Sequence, residues 1–187
     1  MQLNHWDLVA RIYDYVIHPP DPKKLLHLLQ PSRGERILDI GGGTGRISQL
    51  LGQDLDVIIC DPSSGMLGQA QDKGIRGCAA MAERLPFSDG SFARIIVVDA
   101  LHHFLNVNAA APELLRVLSP GGRLVIEEPD IREFRVKLVA LAERLALMRS
   151  RFLSLPDLVQ LFEAHGGVVV AADEHDDHNV RLVLSHP

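Results

Sequence analysis

The sequence predicts an α/β fold with a doubly wound, mainly parallel seven-stranded sheet, helices on both faces and an antiparallel last strand. Apolar strand-like runs alternate with segments of helical period, which implies crossover connections between parallel strands. The last two runs are separated by a connection short enough for a hairpin. The strand-like runs lie at 36–40, 56–60, 77–80, 93–100, 122–128, 167–173 and 179–185. Helical segments are expected within 1–30 and at 45–52, 63–73, 108–118, 131–152 and 156–165.

Proline and glycine mark the ends of these elements. Pro31 and Gly34 separate the N-terminal helical segment from the first strand, and Gly166 ends the last helix. The hairpin connection is the short polar segment "EHDDH", residues 174–178. Because no proline- or serine-rich linker divides the chain, we predict a single domain over 1–187.

Composition narrows the functional classes. The 187 residues are 47% hydrophobic and carry a net charge of −5, which gives no general reason to expect nucleic-acid binding. Two cysteines, Cys60 and Cys78, form no disulfide framework and fit a reducing compartment. Asp7 and Arg11 interrupt the N-terminal apolar positions that a leader would need, and no run reaches the roughly 18 apolar residues of a membrane span. A cytoplasmic location is therefore the expectation.

A glycine-rich turn follows the first strand in "ILDIGGGTGRIS". Gly41, Gly43 and Gly45 let the backbone approach a ligand closely and adopt positive φ. The dinucleotide fingerprint needs a glycine where this chain has Arg46, which disfavours a nicotinamide-dependent oxidoreductase. Asp39 stands two residues before the first of these glycines, where a carboxylate favours a ligand that carries an ammonium group over a pyrophosphate.

"ILDIGGGTGRIS" resembles the first motif of the class I S-adenosylmethionine-dependent methyltransferases, and further motifs follow in order. "VIICDPSSGML" is similar to the second strand and turn of that family, and "AERLPFSDGSFARIIVVDALHHF" resembles its adenine-side loop and fourth strand. "LLRVLSPGGRLVIEEP" looks like its fifth strand with the preceding helix, and "WDLVARIYDYV" resembles the N-terminal helix of the quinone-biosynthesis subgroup. The resemblance spans residues 6–130 and implies a Rossmann-like methyltransferase fold.

The resemblance also implies a cofactor, a reaction and a set of contacts. The cofactor is S-adenosylmethionine, the product S-adenosylhomocysteine, and the acceptor a small molecule, such as a quinone-like ring methylated at carbon or oxygen. Asp61 then holds the ribose hydroxyls, although it could instead cap the helix near Ser63. Met66 covers the adenine or simply belongs to the core. The full set of expected cofactor-binding residues is Asp39, Gly41, Gly43, Gly45, Asp61, Met66, Ala82, Glu83 and Asp99.

Two positions depart from the family pattern. Met81 stands where the family usually has an aspartate for the adenine amino group, and Ala93 replaces the aspartate of "SFD". Losing one such hydrogen bond costs about 1 kcal/mol of cofactor affinity. A non-catalytic or regulatory S-adenosylmethionine-binding module with a degenerate methyltransferase fold is therefore the alternative to an active methyltransferase.

His102 and His103 are the candidate catalytic residues, because they follow the fourth strand at the edge where open α/β sheets bind ligands. One of the pair could instead be structural and hydrogen-bonded to nearby backbone. Tyr13 and Glu128 are further acceptor-side candidates for a general base. A base is needed only for acceptors that must lose a proton.

Two other segments carry weaker indications. "EHDDHN" has metal-ligating side chains, but such a cluster in a hairpin is typical of a solvated turn, so no metal site is predicted. The segment 131–152 has six arginines or lysines against two glutamates, with apolar residues at helical spacing. It is either a core-packed helix with a basic face or a helical lid over the acceptor, and a lid could also rest on a membrane surface.

Overall fold

Strands and helices alternate along the chain in the computed structural model, which describes residues 21–52, 54–130, 151–174 and 179–187. The strands are β1 (Arg36–Ile40), β2 (Asp56–Asp61), β3 (Arg76–Ala79), β4 (Phe92–Val98), β5 (Leu118–Pro129), β6 (Val168–Glu174) and β7 (Asn179–Ser185). The helices are α1 (Pro22–Leu29), α2 (Ser64–Asp72), α3 (Val107–Val117) and α4 (Leu155–Glu163). Two short 3₁₀ helices lie at Ser48–Leu50 and Leu101–His103.

The described strands form one seven-stranded sheet in the order β3-β2-β1-β4-β5-β7-β6. The first five strands run parallel, and β7 is antiparallel to both β5 and β6. This arrangement confirms the predicted doubly wound sheet with an antiparallel last strand. β7 is inserted between β5 and β6, so β6 rather than β7 lies at the edge. The strand order reverses between β1 and β4, which is where open α/β sheets form their ligand crevice.

Alternating residues of the central strands face two apolar layers. Ile37 and Ile96 pack with Leu25 and Leu29 of α1 on one side of the sheet. Leu38 and its neighbours pack on the other side against apolar residues of α3 and α4. The period-2 alternation of side chains across a strand produces this division. Helices therefore cover both faces, as the sequence predicts.

The helix predicted over 45–52 is wrong. The structure has only the 3₁₀ turn Ser48–Leu50 there, between turns on either side. Gly45 has φ +77° and Gly52 has φ +98°, so helical backbone cannot extend through either position. The remaining predicted elements differ from the observed ones by a few residues at their ends, the largest difference being β5, which begins at Leu118.

Several predictions from the sequence lie outside the described residues. These are the helical segment before residue 21, most of the proposed lid (131–150) and the hairpin connection at 175–178. Within the described ranges, none of the helices has the length and apolar character needed to cross a bilayer.

The end of β5 carries two buried glutamates that point to opposite faces. Glu127 pairs with Arg181, its cross-strand neighbour on β7, with Nε–Oε2 and Nη2–Oε1 distances of 2.8 and 3.1 Å. Asn179 Nδ2 donates to the same carboxylate at 3.1 Å. Glu128 points to the opposite face of the sheet, because side chains alternate along a strand. The Glu127–Arg181 pair joins the antiparallel β7 to the parallel part of the sheet.

Arg181→Leu should lower the free energy of unfolding by about 3–5 kcal/mol, because it leaves the Glu127 carboxylate buried without its cation. The double variant Glu127→Leu/Arg181→Leu should recover most of that loss, since an apolar pair needs no desolvation of charge. Urea denaturation of the three proteins measures both effects. Equal destabilisation in the single and double variants would contradict this reading of the pair.

Candidate functional site

A cleft opens at the carboxyl ends of β1, β2 and β4, at the switch point of the sheet. Its volume is about 850 Å³ when the open space at its mouth is included. Backbone of the glycine turn forms one wall, and the loops after β3 and β4 form the others. The residues predicted to bind a cofactor that line it are Asp39, Gly41, Gly43, Asp61, Met66, Ala82, Glu83 and Asp99. Gly45 is the predicted residue that does not line it.

The glycines of the turn have different roles. Gly41 has φ +70°, and a Cβ there would come within 2.5 Å of Ala100 Cβ, so the position tolerates only glycine. Gly43 has φ +53° and presents its backbone to the cleft. Gly45 instead packs away from the cleft, where a Cβ would lie 2.7 Å from Ile75 Cδ1. The third glycine therefore serves close packing, while the first two shape the cleft.

Asp61 joins the glycine turn to the turn after β2. Its Oδ2 accepts a hydrogen bond from Gly43 N at 3.1 Å, and its Oδ1 accepts one from Ser63 N at 2.8 Å. The N-cap of α2 is Ser63, whose Oγ accepts from Met66 N at 3.2 Å, so Asp61 is not the helix cap. Each carboxylate oxygen has two lone pairs, and the ties to the two turns are therefore compatible with hydrogen bonds from a vicinal diol.

Asp39 is buried beneath the glycine turn. Its Oδ2 accepts a hydrogen bond from Ser48 Oγ at 2.6 Å, and a Cβ at Gly42 would lie 2.6 Å from its Cγ. Burial raises the pKa of the Asp39 carboxyl to about 6, while the Ser48 hydrogen bond and the Arg46 charge oppose that rise. At neutral pH the side chain is an anion at the floor of the cleft, which suits an ammonium group above it.

Arg46 supplies the cation that sequence reasoning did not include in the site. Its Nη2 donates to Asp99 Oδ2 at 2.7 Å, and its side chain is buried in the lining of the cleft. Burial raises the pKa of the Asp99 carboxyl, and the Arg46 charge counteracts this. The signal in the sequence was the arginine in the glycine turn itself, which lies between two strand-end acids. In the sequence, Arg46 indicates only that the third glycine of the dinucleotide fingerprint is missing.

The outer wall of the cleft comes from the loop after β3. Met81, Ala82 and Glu83 of this loop line the cleft together with Met66 of α2, and Met81 is 37% exposed. Glu83 Oε1 accepts a hydrogen bond from Asn106 N at 2.9 Å, which ties this loop to the start of α3. A wall that includes two thioethers is suited to a flat aromatic group.

Further along, the same loop is held by Arg116 of α3. Its Nη1 donates to Phe87 O at 2.8 Å and its Nη2 to Leu85 O at 3.2 Å. Glu113 Oε2 accepts from Leu85 N at 2.8 Å and also binds Arg116. The wall of the cleft is thus attached to a helix rather than left as a free loop.

The structure separates the two candidate catalytic histidines. His103 lines the cleft beside Phe104. His102 is buried outside the lining, and its Nδ1 lies 2.5 Å from Glu128 Oε2. Glu128 is also buried and absent from the lining, so neither it nor His102 faces an acceptor in the cleft. Tyr13 lies outside the described residues. Within the described ranges there is no group of three metal-ligating side chains.

Comparison with known proteins agrees with this geometry. The family described as "Methyltransferase domain" matches residues 38–126, which contain the end of β1, the glycine turn, the strands β2 to β4 and most of β5. A demethylmenaquinone methyltransferase of Beutenbergia cavernae is 43% identical over 98 residues, which are 51% of this chain and 41% of that protein. A ubiquinone/menaquinone biosynthesis C-methyltransferase of Azotobacter vinelandii is 33% identical over 135 residues, covering 66% of this chain and 53% of the relative.

Solved structures show the same architecture. A methyltransferase of Thermotoga maritima that depends on S-adenosylmethionine superimposes with a TM-score of 0.77 at 23% identity. The alignment covers 98% of this chain and 93% of that one, and at this identity it shows the fold. Residues 38–126 match the methyltransferase domain family, and the chain has the fold of the class I S-adenosylmethionine-dependent methyltransferases. Within that class it resembles the ubiquinone/menaquinone methyltransferases, and it spans about half the length of the curated relatives it matches.

The residues of the cleft fit the cofactor of that family. Gly41 and Gly43 present backbone rather than side chains to the cleft beside the end of β1, which suits an amino-acid chain lying there. The Asp39 and Asp99 carboxylates and the Arg46 guanidinium provide charges of both signs there, as an amino acid with its ammonium and carboxylate groups requires. Asp61 stands at the end of β2, and the apolar wall of Met66 and Ala82 lies beyond it.

Asp39→Asn should change how stability depends on pH. Because the pKa of Asp39 in the folded protein, about 6, is above its ordinary 3.8, the unfolded chain ionises first and wild-type stability falls as pH rises between these values. Asparagine removes this effect. The free energy of unfolding of the variant relative to wild type should therefore increase by about 2 kcal/mol between pH 4.5 and 7.5 in urea denaturation. The exposed Asp54→Asn is the control, and a flat difference for Asp39→Asn would contradict the raised pKa.

Proposed function

We propose that this chain binds S-adenosylmethionine in the cleft and transfers its methyl group to a small apolar acceptor, such as a quinone-like ring, at carbon or oxygen. The observation that carries the proposal is the placement of Asp61 and Asp99 at the ends of β2 and β4 in one cleft, on either side of β1 and its glycine turn. The expected product is S-adenosylhomocysteine. The partner is a small molecule, and we propose a cytoplasmic location.

Each end of the cleft has its own task in this proposal. Asp61 accepts hydrogen bonds from the ribose hydroxyls, and Asp39 attracts the ammonium group. Arg46, held by Asp99, attracts the carboxylate of the amino acid. Met66 and Ala82 pack on the adenine. When bound, the cofactor supplies a methyl group already activated by the sulfonium, so the protein has mainly to align the acceptor with it.

The acceptor side supports an apolar substrate. Phe104 lines the cleft beside His103, and the adjacent Leu105 is 63% exposed. Met81 adds an exposed thioether chain at the same cleft. The named activity of the relatives, methylation of demethylmenaquinone or of quinone precursors, agrees with such a surface. The proposed lid and any rest on a membrane surface stay predictions, because residues 131–150 lie outside the described part of the chain.

Asp61→Ala should weaken the binding of S-adenosylhomocysteine by about 10- to 100-fold, since it removes the diol acceptor and unties Gly43 from the turn after β2. Isothermal titration calorimetry measures the affinity. Asp54→Ala is a matched control, because Asp54 precedes β2 at the opposite, exposed end and should leave the affinity unchanged.

Calorimetric titration, together with an assay of methyl transfer, distinguishes the methyltransferase from the non-catalytic module and from a nicotinamide-dependent enzyme. S-adenosylmethionine binding without methyl transfer to any quinol would favour the non-catalytic module, to which Met81 in place of an acid lends support. Binding of NAD but of neither S-adenosyl compound would overturn the proposed function. Wild-type affinity in Asp61→Ala would remove Asp61 from the cofactor site.

His103→Ala should reduce the rate of methyl transfer to a reduced 1,4-naphthoquinone with a free ring position by about 100-fold or more, because a quinol must lose a proton as the methyl group arrives. The rate is measured as release of S-adenosylhomocysteine. The affinity for that product should change much less than the rate. An unchanged rate would show that His103 is no base.

A further inference from the structure

The turn after β4 is held by one carboxylate from the neighbouring strand. Glu128 Oε1 accepts hydrogen bonds from Ala100 N and Leu101 N, both at 2.8 Å. Glu128 Oε2 accepts from His102 N at 3.3 Å and lies 2.5 Å from His102 Nδ1. Glu128 is 3% exposed and His102 5% exposed, so these contacts are made away from water. Four donors from three consecutive residues thus converge on one side chain.

The turn that Glu128 holds, residues 100–102, adjoins residues that face the cleft. Asp99, just before the turn, and Ala100, its first residue, line the cleft, as do His103 and Phe104 after it. Asp99 has φ +51°, an unusual conformation for a residue other than glycine, which the following turn must accommodate. A change in the backbone of residues 100–102 would therefore move the partner of Arg46 and the histidine of the acceptor side together.

His102 connects the same turn to a third part of the chain. Its ring stacks on Phe152 with centroids 4.4 Å apart and planes 14° from parallel, and its carbonyl accepts from Arg151 N at 2.7 Å. Because Nδ1 donates to Glu128 Oε2, the neutral ring carries its proton on Nδ1. The histidine therefore acts within the protein interior, between β5 and the segment that enters α4.

We propose that Glu128 is a positioning residue that sets the placement of Asp99 and His103 in the cleft. It acts through its hydrogen bonds to the amides of residues 100–102 and to the ring of His102. His102 is the second part of this device and not a general base. This role of Glu128 rests on the proposed function in one respect: the affinity measurement below requires that the chain binds S-adenosylhomocysteine. The tautomer of the His102 ring and the hydrogen exchange of the turn amides can be measured without any ligand.

Glu128→Gln tests the device with a side chain of the same shape. An amide oxygen can still accept from Ala100 N and Leu101 N, but the amide nitrogen is a donor facing His102 N and Nδ1. The His102 ring should respond by moving its proton to Nε2, which ¹⁵N spectra of the imidazole detect directly. Hydrogen exchange of the amide of His102 should become faster.

The variant should also weaken the binding of S-adenosylhomocysteine by about tenfold, measured by calorimetry. Glu127→Gln is the matched control, because Glu127 is the adjacent buried carboxylate of β5 but binds Arg181 on the opposite face. It should lose stability, yet keep the His102 tautomer and bind S-adenosylhomocysteine within about twofold of wild type.

A second pair of variants tests the device should Glu128→Gln fail to fold. Asparagine at 102 places an amide donor near the position of Nδ1, whereas leucine has none, so His102→Asn should retain more affinity for S-adenosylhomocysteine than His102→Leu. An unchanged tautomer and unchanged amide exchange in Glu128→Gln, equal affinity loss in Glu127→Gln, or equal loss in the two His102 variants would each overturn the proposal. If wild type bound no S-adenosylhomocysteine, the proposed function would fail, while the ring and amide measurements would still decide the role of Glu128.

Discussion

Four carboxylates at one edge of the sheet, three of them buried and Asp99 half-buried, are the constraint on which this site depends. Asp39, Asp61, Asp99 and Glu128 lie at or just beyond the carboxyl ends of four adjacent parallel strands, where each would be costly to bury without partners. Each is satisfied by a neighbouring turn: a serine hydroxyl, backbone amides or a guanidinium. The loops above the sheet are therefore ordered by the acids of the strands beneath them.

This arrangement explains why the glycine turn is not an ordinary phosphate cradle. The 3₁₀ turn Ser48–Leu50 is too short to contribute a helix dipole of consequence, and the floor of the turn is an anion. Arg46 offsets the negative charge within the turn itself. The cleft thus presents both charges of an amino acid close to one another, which a pyrophosphate would not match.

The sequence was sufficient for the sheet because periodicity and glycine placement are local signals. The strands and the antiparallel β7 follow from them, whereas most of the residues of the cleft lining were expected from the resemblance of the motifs to a methyltransferase family. Other features depend on which turns meet in space. Arg46 could not be paired with Asp99 without the placement of β1 beside β4, and "HH" in the sequence does not tell which ring faces the cleft. The failed helix at 45–52 has a simpler cause: apolar spacing suggested it, but Gly45 and Gly52 adopt positive φ.

The conformation of Asp99 shows how the edge acids act together. Left-handed backbone at a residue other than glycine costs on the order of 1 kcal/mol or more and persists only where surrounding contacts require it. Here the amide of Asp99 donates to Glu127 O at 2.9 Å, its side chain binds Arg46, and the next three residues are held by Glu128. Since β5 supplies both the backbone and the carboxylate contacts, the unusual backbone at Asp99 is a product of strand pairing. The geometry of the cleft is thus determined one strand away from the residues that line it.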